Sequence, residues 1–138
     1  MEEAQLDCLL LSTEQDVFYY TGVATRFWNS PTRPFFLAIP GRGHNRPIAA
    51  IPSVFPSFGT ASWLGPENVR TWAAPQPEDD GVSLLSETLF GLKSQFGRVG
   101  FMMGLETHVR APLADVDRIR DNLAANGIDV VNGGEVIR

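Results

Sequence analysis

The sequence predicts one α/β domain over residues 1–138, in which short apolar strands alternate with amphipathic helices. Three observations carry this expectation. The run from Leu6 to Leu11 is apolar on both faces, as in a strand covered by helices on each side of a sheet. Two later segments, 82–96 and 113–123, space their large apolar residues three or four apart, which is the period of a half-buried helix. No repeat, low-complexity tract or linker divides the chain, and 43% hydrophobic with 20% charged residues is the composition of a folded domain.

The elements follow in order. Leu6 to Leu11 is the predicted central strand, after which Ser12 or Thr13 caps a short helix, with Gln15 completing a capping box on Ser12 and Gly22 as the stop. That helix carries Val17, Phe18 and Tyr19. Phe35 to Ile39 and Ile48 to Ile51 read as an antiparallel hairpin joined by the turn-rich segment Pro40 to Pro47. Pro52 to Pro56 opens a short helix, since proline is tolerated in a first turn. Val69 to Ala73 is the next strand. A helix follows Asp79-Asp80-Gly81, with Val82, Leu85, Leu89, Leu92 and Phe96 on its apolar stripe and Gly97 ending it. Val99 to Met103 is a strand, Pro112 to Ala125 a helix burying Leu113, Val116, Ile119 and Leu123, and Gly127 its stop. Ile128 to Val131 is the last strand, and the abrupt end at Arg138 is read as a point where more chain follows.

Charge and composition argue against several functions. Eleven Lys and Arg against sixteen Asp and Glu leave a net charge of −5, and no basic patch overrides it, so nucleic acid is not an expected partner. Arg42 and Arg46 in one loop and Arg118 and Arg120 on one helix read as solvated surface. No apolar run reaches the roughly 20 residues that cross a bilayer, and Met1-Glu2-Glu3 lacks the parts of a signal peptide, so no membrane partner is expected and the cytoplasm is the expected compartment. Cys8, the single cysteine, reads as a buried thiol.

The familiar catalytic templates are missing. A zinc centre needs about three protein ligands, but only His44 and His108 are present, without His-Glu-x-x-His or Cys-x-x-Cys. Gly41-Arg42-Gly43-His44 begins like a phosphate loop yet runs into Pro47 and a strand instead of a helix. No Gly-x-Ser-x-Gly elbow occurs. Glu78-Asp79-Asp80 reads as helix-capping acids, which satisfy free N–H groups and complement the helix dipole. The unusual segment is Arg26 to Pro34, a loop with two aromatics, two arginines and two prolines. One reading is local packing by Trp28. The other is recognition, with Trp28 as rigid apolar area and Arg33 as a fork for a carboxylate.

The order Leu-Asp-Cys-Leu-Leu-Leu-Ser (6–12), Asp16-Val17-Phe18-Tyr19-Tyr20-Thr21-Gly22, and Ser30-Pro31-Thr32-Arg33-Pro34-Phe35-Phe36 resembles the N-terminal domain of the creatinase, prolidase and aminopeptidase P (M24-type) family. The segments 97–100, 106–108 and 112–113 continue the resemblance, which covers nearly the whole chain. It implies a mixed β-sheet flanked by helices in a ribonuclease H-like arrangement. It also implies a larger parent, in which a C-terminal "pita-bread" domain, absent from this chain, holds the metal-ligating Asp, Asp, His, Glu and Glu around a divalent metal pair. This chain itself is then expected to hold no catalytic residue, metal or cofactor.

By the same resemblance, the chain supplies subunit contacts in a homo-oligomer and part of a substrate pocket. Arg33 stands where creatinase-like members place a substrate-contacting arginine, and Trp28 lies in the loop that supplies aromatic walls. Ser30-Pro31-Thr32 departs from the creatinase pattern, which points to an Xaa-Pro peptidase rather than a creatinase. The leading expectation is thus a non-catalytic N-terminal domain of a prolidase-like hydrolase, with that hydrolase's catalytic domain as its partner. The alternative is a stand-alone binding or scaffold domain that has lost the catalytic partner.

Overall fold

In a computed structural model, residues 1–25, 34–41, 46–55, 58 and 63–137 are described. They form a six-stranded mixed sheet with helices on both faces: β1 (Cys8–Leu11), α1 (Glu14–Thr21), β2 (Phe36–Pro40), β3 (Ile48–Pro52), β4 (Val69–Trp72), α2 (Val82–Gly91), β5 (Arg98–Phe101), α3 (Leu113–Ala125) and β6 (Asp129–Asn132). The spatial order is β4-β3-β2-β1-β5-β6. The pairs β1/β2 and β2/β3 are antiparallel, as a hairpin requires, whereas β1/β5, β5/β6 and β3/β4 are parallel. The α/β class and the mixed sheet expected from the sequence are therefore the observed architecture.

β1 is central and buried on both faces, and the strand period of two explains its composition. Cys8 and Leu10 point into one core with Val82, Leu85 and Leu89 of α2 and Ile119 and Leu123 of α3. Leu9 and Leu11 point into the other with Val17 of α1, Phe35, Phe58 and Leu64. A polar residue at any of these four positions would face a dry layer. Gly100 of β5 and Gly133 just beyond β6 let the backbones come together, since a Cβ on Gly100 would sit 2.9 Å from the Gly133 Cα.

Helix boundaries show where tertiary contacts overrule periodicity. The cap of α1 is Thr13, whose hydroxyl accepts from the Asp16 N–H and donates to the Asp16 carboxylate; Ser12 and Gln15 do not form the expected box. The Ser12 hydroxyl accepts instead from the Arg110 N–H at 2.8 Å. Gly22 ends the helix in the left-handed region at φ 73°, as its lack of a Cβ allows.

α2 ends at Gly91 rather than at Gly97, so Phe96 is not on its stripe. The cause is Asp7, just before β1. Its carboxylate accepts from the N–H groups of Ser94 and Gly97 at 2.8 Å and of Phe96 at 3.0 Å, holding the segment in a turn that a continuing helix would forbid.

α3 buries Ile119 and Leu123, but Leu113 is 82% exposed, a second correction to the expected stripe. Periodicity defines a face without saying how far the first turn projects beyond the layer beneath it. Pro52 closes β3 opposite Trp72 and Ser53 to Phe55 form a turn, so the helix expected to open over Pro52 to Pro56 does not begin there; Pro56 lies outside the described residues.

Candidate functional site

The loop between α1 and β2 was the segment expected to recognise a ligand, and Trp28 and Arg33 both lie outside the described residues, as does His44. Its two anchors are described. On the α1 side, the Thr21 hydroxyl donates to the Val17 carbonyl at 2.6 Å and accepts from the Val23 N–H at 3.2 Å, which turns the chain inward so that Val23 is buried. On the β2 side, Phe35 is buried and its ring lies 5.9 and 5.5 Å from those of Phe55 and Phe58, centroid to centroid. The chain thus leaves α1 and enters β2 at fixed points.

The end of α1 from which the loop departs carries an aromatic and cationic surface. The Trp63 indole N–H donates to the Tyr20 carbonyl at 2.7 Å, yet Trp63 remains 52% exposed. The rings of Tyr19 and Tyr20 meet edge to face at 5.1 Å. The Arg46 guanidinium lies 5.8 Å from the Trp63 ring centroid and donates to the Leu64 carbonyl at 3.3 Å. Arg46 is exposed, as expected of a surface arginine, and is held by the Trp63 face, the Leu64 carbonyl and the Glu67 carboxylate at 3.9 Å. Partial burial, then the charges of Tyr19 and Asp16, push the Tyr20 phenol above its usual range, which keeps it a neutral donor. Exposed indole and phenol area beside a guanidinium suits a ligand with an apolar body and an anionic end. Single-sequence reading missed Trp63, since no local pattern tells an exposed tryptophan from a core one.

Asp79 and Asp80 have structural partners. The Asp79 carboxylate accepts from the Ser83 N–H at 2.9 Å, and this bond, ahead of the opposing effect of partial burial, holds its pKa below the ordinary value. Asp80 accepts from the Trp72 indole N–H at 2.8 Å. Of the acidic run, Asp79 serves the start of α2, as expected, whereas Asp80 serves Trp72 of β4. Cys8 is fully buried, and desolvation pushes its thiol pKa upward, so it is held as the neutral thiol. His108 is exposed at the rim of a cleft of about 280 Å³ between the carboxyl ends of β1 and β5, with Thr13, Asp16 and Glu106. Among the described residues, no three His, Cys, Asp or Glu side chains converge as metal ligands. No helix among them is long and apolar enough to cross a membrane.

No protein-family model matches the sequence, and no curated protein matches it significantly. Solved structures do match in fold. A proline dipeptidase from Streptococcus pneumoniae TIGR4 superposes with a TM-score of 0.67 at 16% identity, over 99% of this chain and 87% of that one. The prolidase from Pyrococcus horikoshii OT3 gives 0.59 at 15% identity, over 100% of this chain and 31% of that one. The dipeptidase PepE from Mycobacterium ulcerans gives 0.62 at 19% identity, over 99% of this chain and 32% of that one. The chain spans most of the first structure but only about a third of the other two. At these identities the likeness is one of fold, and the chain has the fold of prolidase N-terminal domains, the family that its sequence resembles.

Proposed function

We propose that this chain acts as the non-catalytic N-terminal domain of a metal-dependent Xaa-Pro peptidase, supplying subunit contacts and one wall of the substrate pocket. The observation that carries the reading is coverage: almost all of this chain superposes on about a third of a prolidase and of a dipeptidase, leaving the rest of those chains for other work. The aromatic and cationic surface of Tyr20, Trp63 and Arg46 supports a pocket role at the base of the 26–33 loop. In this reading Arg33 pairs with a substrate carboxylate and Trp28 covers its apolar part. The divalent metal pair and the catalytic residues belong to a C-terminal partner domain, and the parent works as a cytoplasmic homo-oligomer.

The test uses the native polypeptide that contains this sequence. Peptide mapping should find a continuation past Arg138 with ordered Asp, Asp, His, Glu and Glu, and the purified polypeptide should hydrolyse an Xaa-Pro dipeptide in the presence of Mn²⁺. The 138-residue chain alone should neither bind Mn²⁺ stoichiometrically nor cleave that dipeptide. A native polypeptide that ends at Arg138 and copurifies with no hydrolase would favour the stand-alone binding domain instead.

A further inference from the structure

We infer that the outer edge of β6, together with the acidic stripe of α3 above it, is a docking site for an extended basic peptide that adds a seventh strand to the sheet. β6 closes one end of the strand order and pairs only with β5. In this parallel ladder the Asp129 N–H donates to the Gly97 carbonyl at 2.9 Å and the Gly133 N–H to the Phe101 carbonyl at 2.8 Å. Main-chain groups alternate in direction along a strand, so those of Asp129, Val131 and Gly133 face β5 and those of Val130 and Asn132 face away. In that register the main-chain groups of Val130 and Asn132 point to the side on which the strand order ends. Both residues stay accessible, Val130 half-buried and Asn132 exposed. Two N–H donors and two carbonyl acceptors are therefore presented in the spacing that one added strand satisfies.

The groove at this edge selects the charge of its occupant. It is an open cavity of about 690 Å³ lined by Asp117, Arg120, Asp121 and Ala124 of α3 and by Asp129 to Val131. The α3 residues recur at i, i+3, i+4 and i+7, so they form one stripe, and Asp117 and Asp121 place like charges on neighbouring turns, which mildly destabilises a helix. Among the described residues, Asp117, Asp121 and Asp129 have no ion-pair partner. Three carboxylates against the one guanidinium of Arg120 attract a strand bearing Lys or Arg. They disfavour a second copy of this chain, which would bring the same acids and a net charge of −5 to the contact. Backbone bonding supplies the register and the acids the choice of partner. This inference is independent of any pocket role for the 26–33 loop.

The probe is the hexapeptide Lys-Val-Lys-Val-Lys-Val, compared with Glu-Val-Glu-Val-Glu-Val and with the lysine peptide N-methylated at alternate backbone nitrogens on its bonding edge. Amide exchange followed by NMR is the readout. The lysine peptide should slow exchange of the Val130 and Asn132 amides by about tenfold or more, the expected mark of new main-chain hydrogen bonds, while the acidic and N-methylated peptides leave them unchanged. Asp117→Lys with Asp121→Lys should abolish the effect; if that variant does not fold, the comparison of the three peptides on the native chain decides alone. Equal protection by the acidic peptide, no protection at millimolar lysine peptide, or protection that rises with protein concentration without peptide would overturn the proposal, the last by making a second copy the occupant.

Discussion

The carboxylate of Asp7 and the backbone N–H of Gly97 meet at 2.8 Å across 90 residues of sequence. The same carboxylate holds Ser94 and Phe96, so one side chain ties the start of the central strand to the turn that launches its parallel neighbour β5. Removing it leaves three donors without their acceptor. Asp7→Ala should destabilise the domain by about 2–4 kcal/mol, given the usual worth of hydrogen bonds to a charged acceptor, and Asp7→Asn by less. Denaturant melts measure this; an Asp7→Ala midpoint equal to wild type would show the turn to be self-sufficient.

The helix faces make opposite forecasts for two leucines. Leu89 has no exposed surface and Leu113 is 82% exposed. Leu89→Ala should cost about 2–5 kcal/mol, as cavity-forming core truncations do, and Leu113→Ala under about 0.5 kcal/mol. Equal costs in the same melts would mean that α3 packs through a different face.

Asp79 gives a pH dependence of known sign. Its bond from the Ser83 N–H depresses the folded pKa below the ordinary 3.8, so the unfolded state binds more protons between those two values. The stabilisation is present above about 3.8 and is lost as pH falls through the lower folded value. Because the carboxylate is largely exposed, the whole effect should be about 0.5–1 kcal/mol, the lower range for a capping side chain. Asp79→Asn should be less stable than wild type near neutrality by that amount, with the gap closing in strong acid. A gap independent of pH would remove the charge from the explanation.

Cys8 should be chemically silent in the native state. Burial raises its thiol pKa and bars reagent access, so iodoacetamide labelling at mildly alkaline pH should follow global unfolding rather than local opening. The logarithm of the labelling rate should fall linearly with the stability set by denaturant. Rapid labelling without denaturant would reveal an open route to the centre of β1.

For Arg33, packing and recognition predict different results. Under the proposed pocket role, Arg33→Ala should leave the melt of this domain within about 0.5 kcal/mol. In the parent enzyme it should lower kcat/KM roughly tenfold or more, the scale of one charge-assisted contact. Trp28→Ala should touch both, since a large aromatic near a loop base also covers apolar surface. Loss of stability by several kcal/mol with catalysis spared would make Arg33 structural.

Local chemistry made much of the architecture legible. Leu9, Leu10 and Leu11 announce a strand buried on both faces because each side of the sheet demands an apolar side chain, and Gly22 announces a helix end because a left-handed residue without a Cβ costs little. Asp79 could be read as a capping acid from position alone, whereas Asp80 went to the Trp72 indole. The candidate site was legible only as an unusual composition: Trp28 and Arg33 stand out by type, whereas the Tyr20, Trp63 and Arg46 surface depends on contacts between residues 17 and 43 positions apart, which no local pattern encodes. The end of α2 was likewise decided by tertiary structure. Its apolar period runs on to Phe96, but helix propensity is worth tenths of a kcal/mol per residue and three charge-assisted bonds to Asp7 outweigh it. The sequence by itself determined that Leu9 to Leu11 are buried and that the backbone can turn at Gly22, since those depend on side-chain type and near neighbours. Only the folded chain decided which strand became the open edge and which acids found backbone donors, because those depend on what packing brings together from far along the chain.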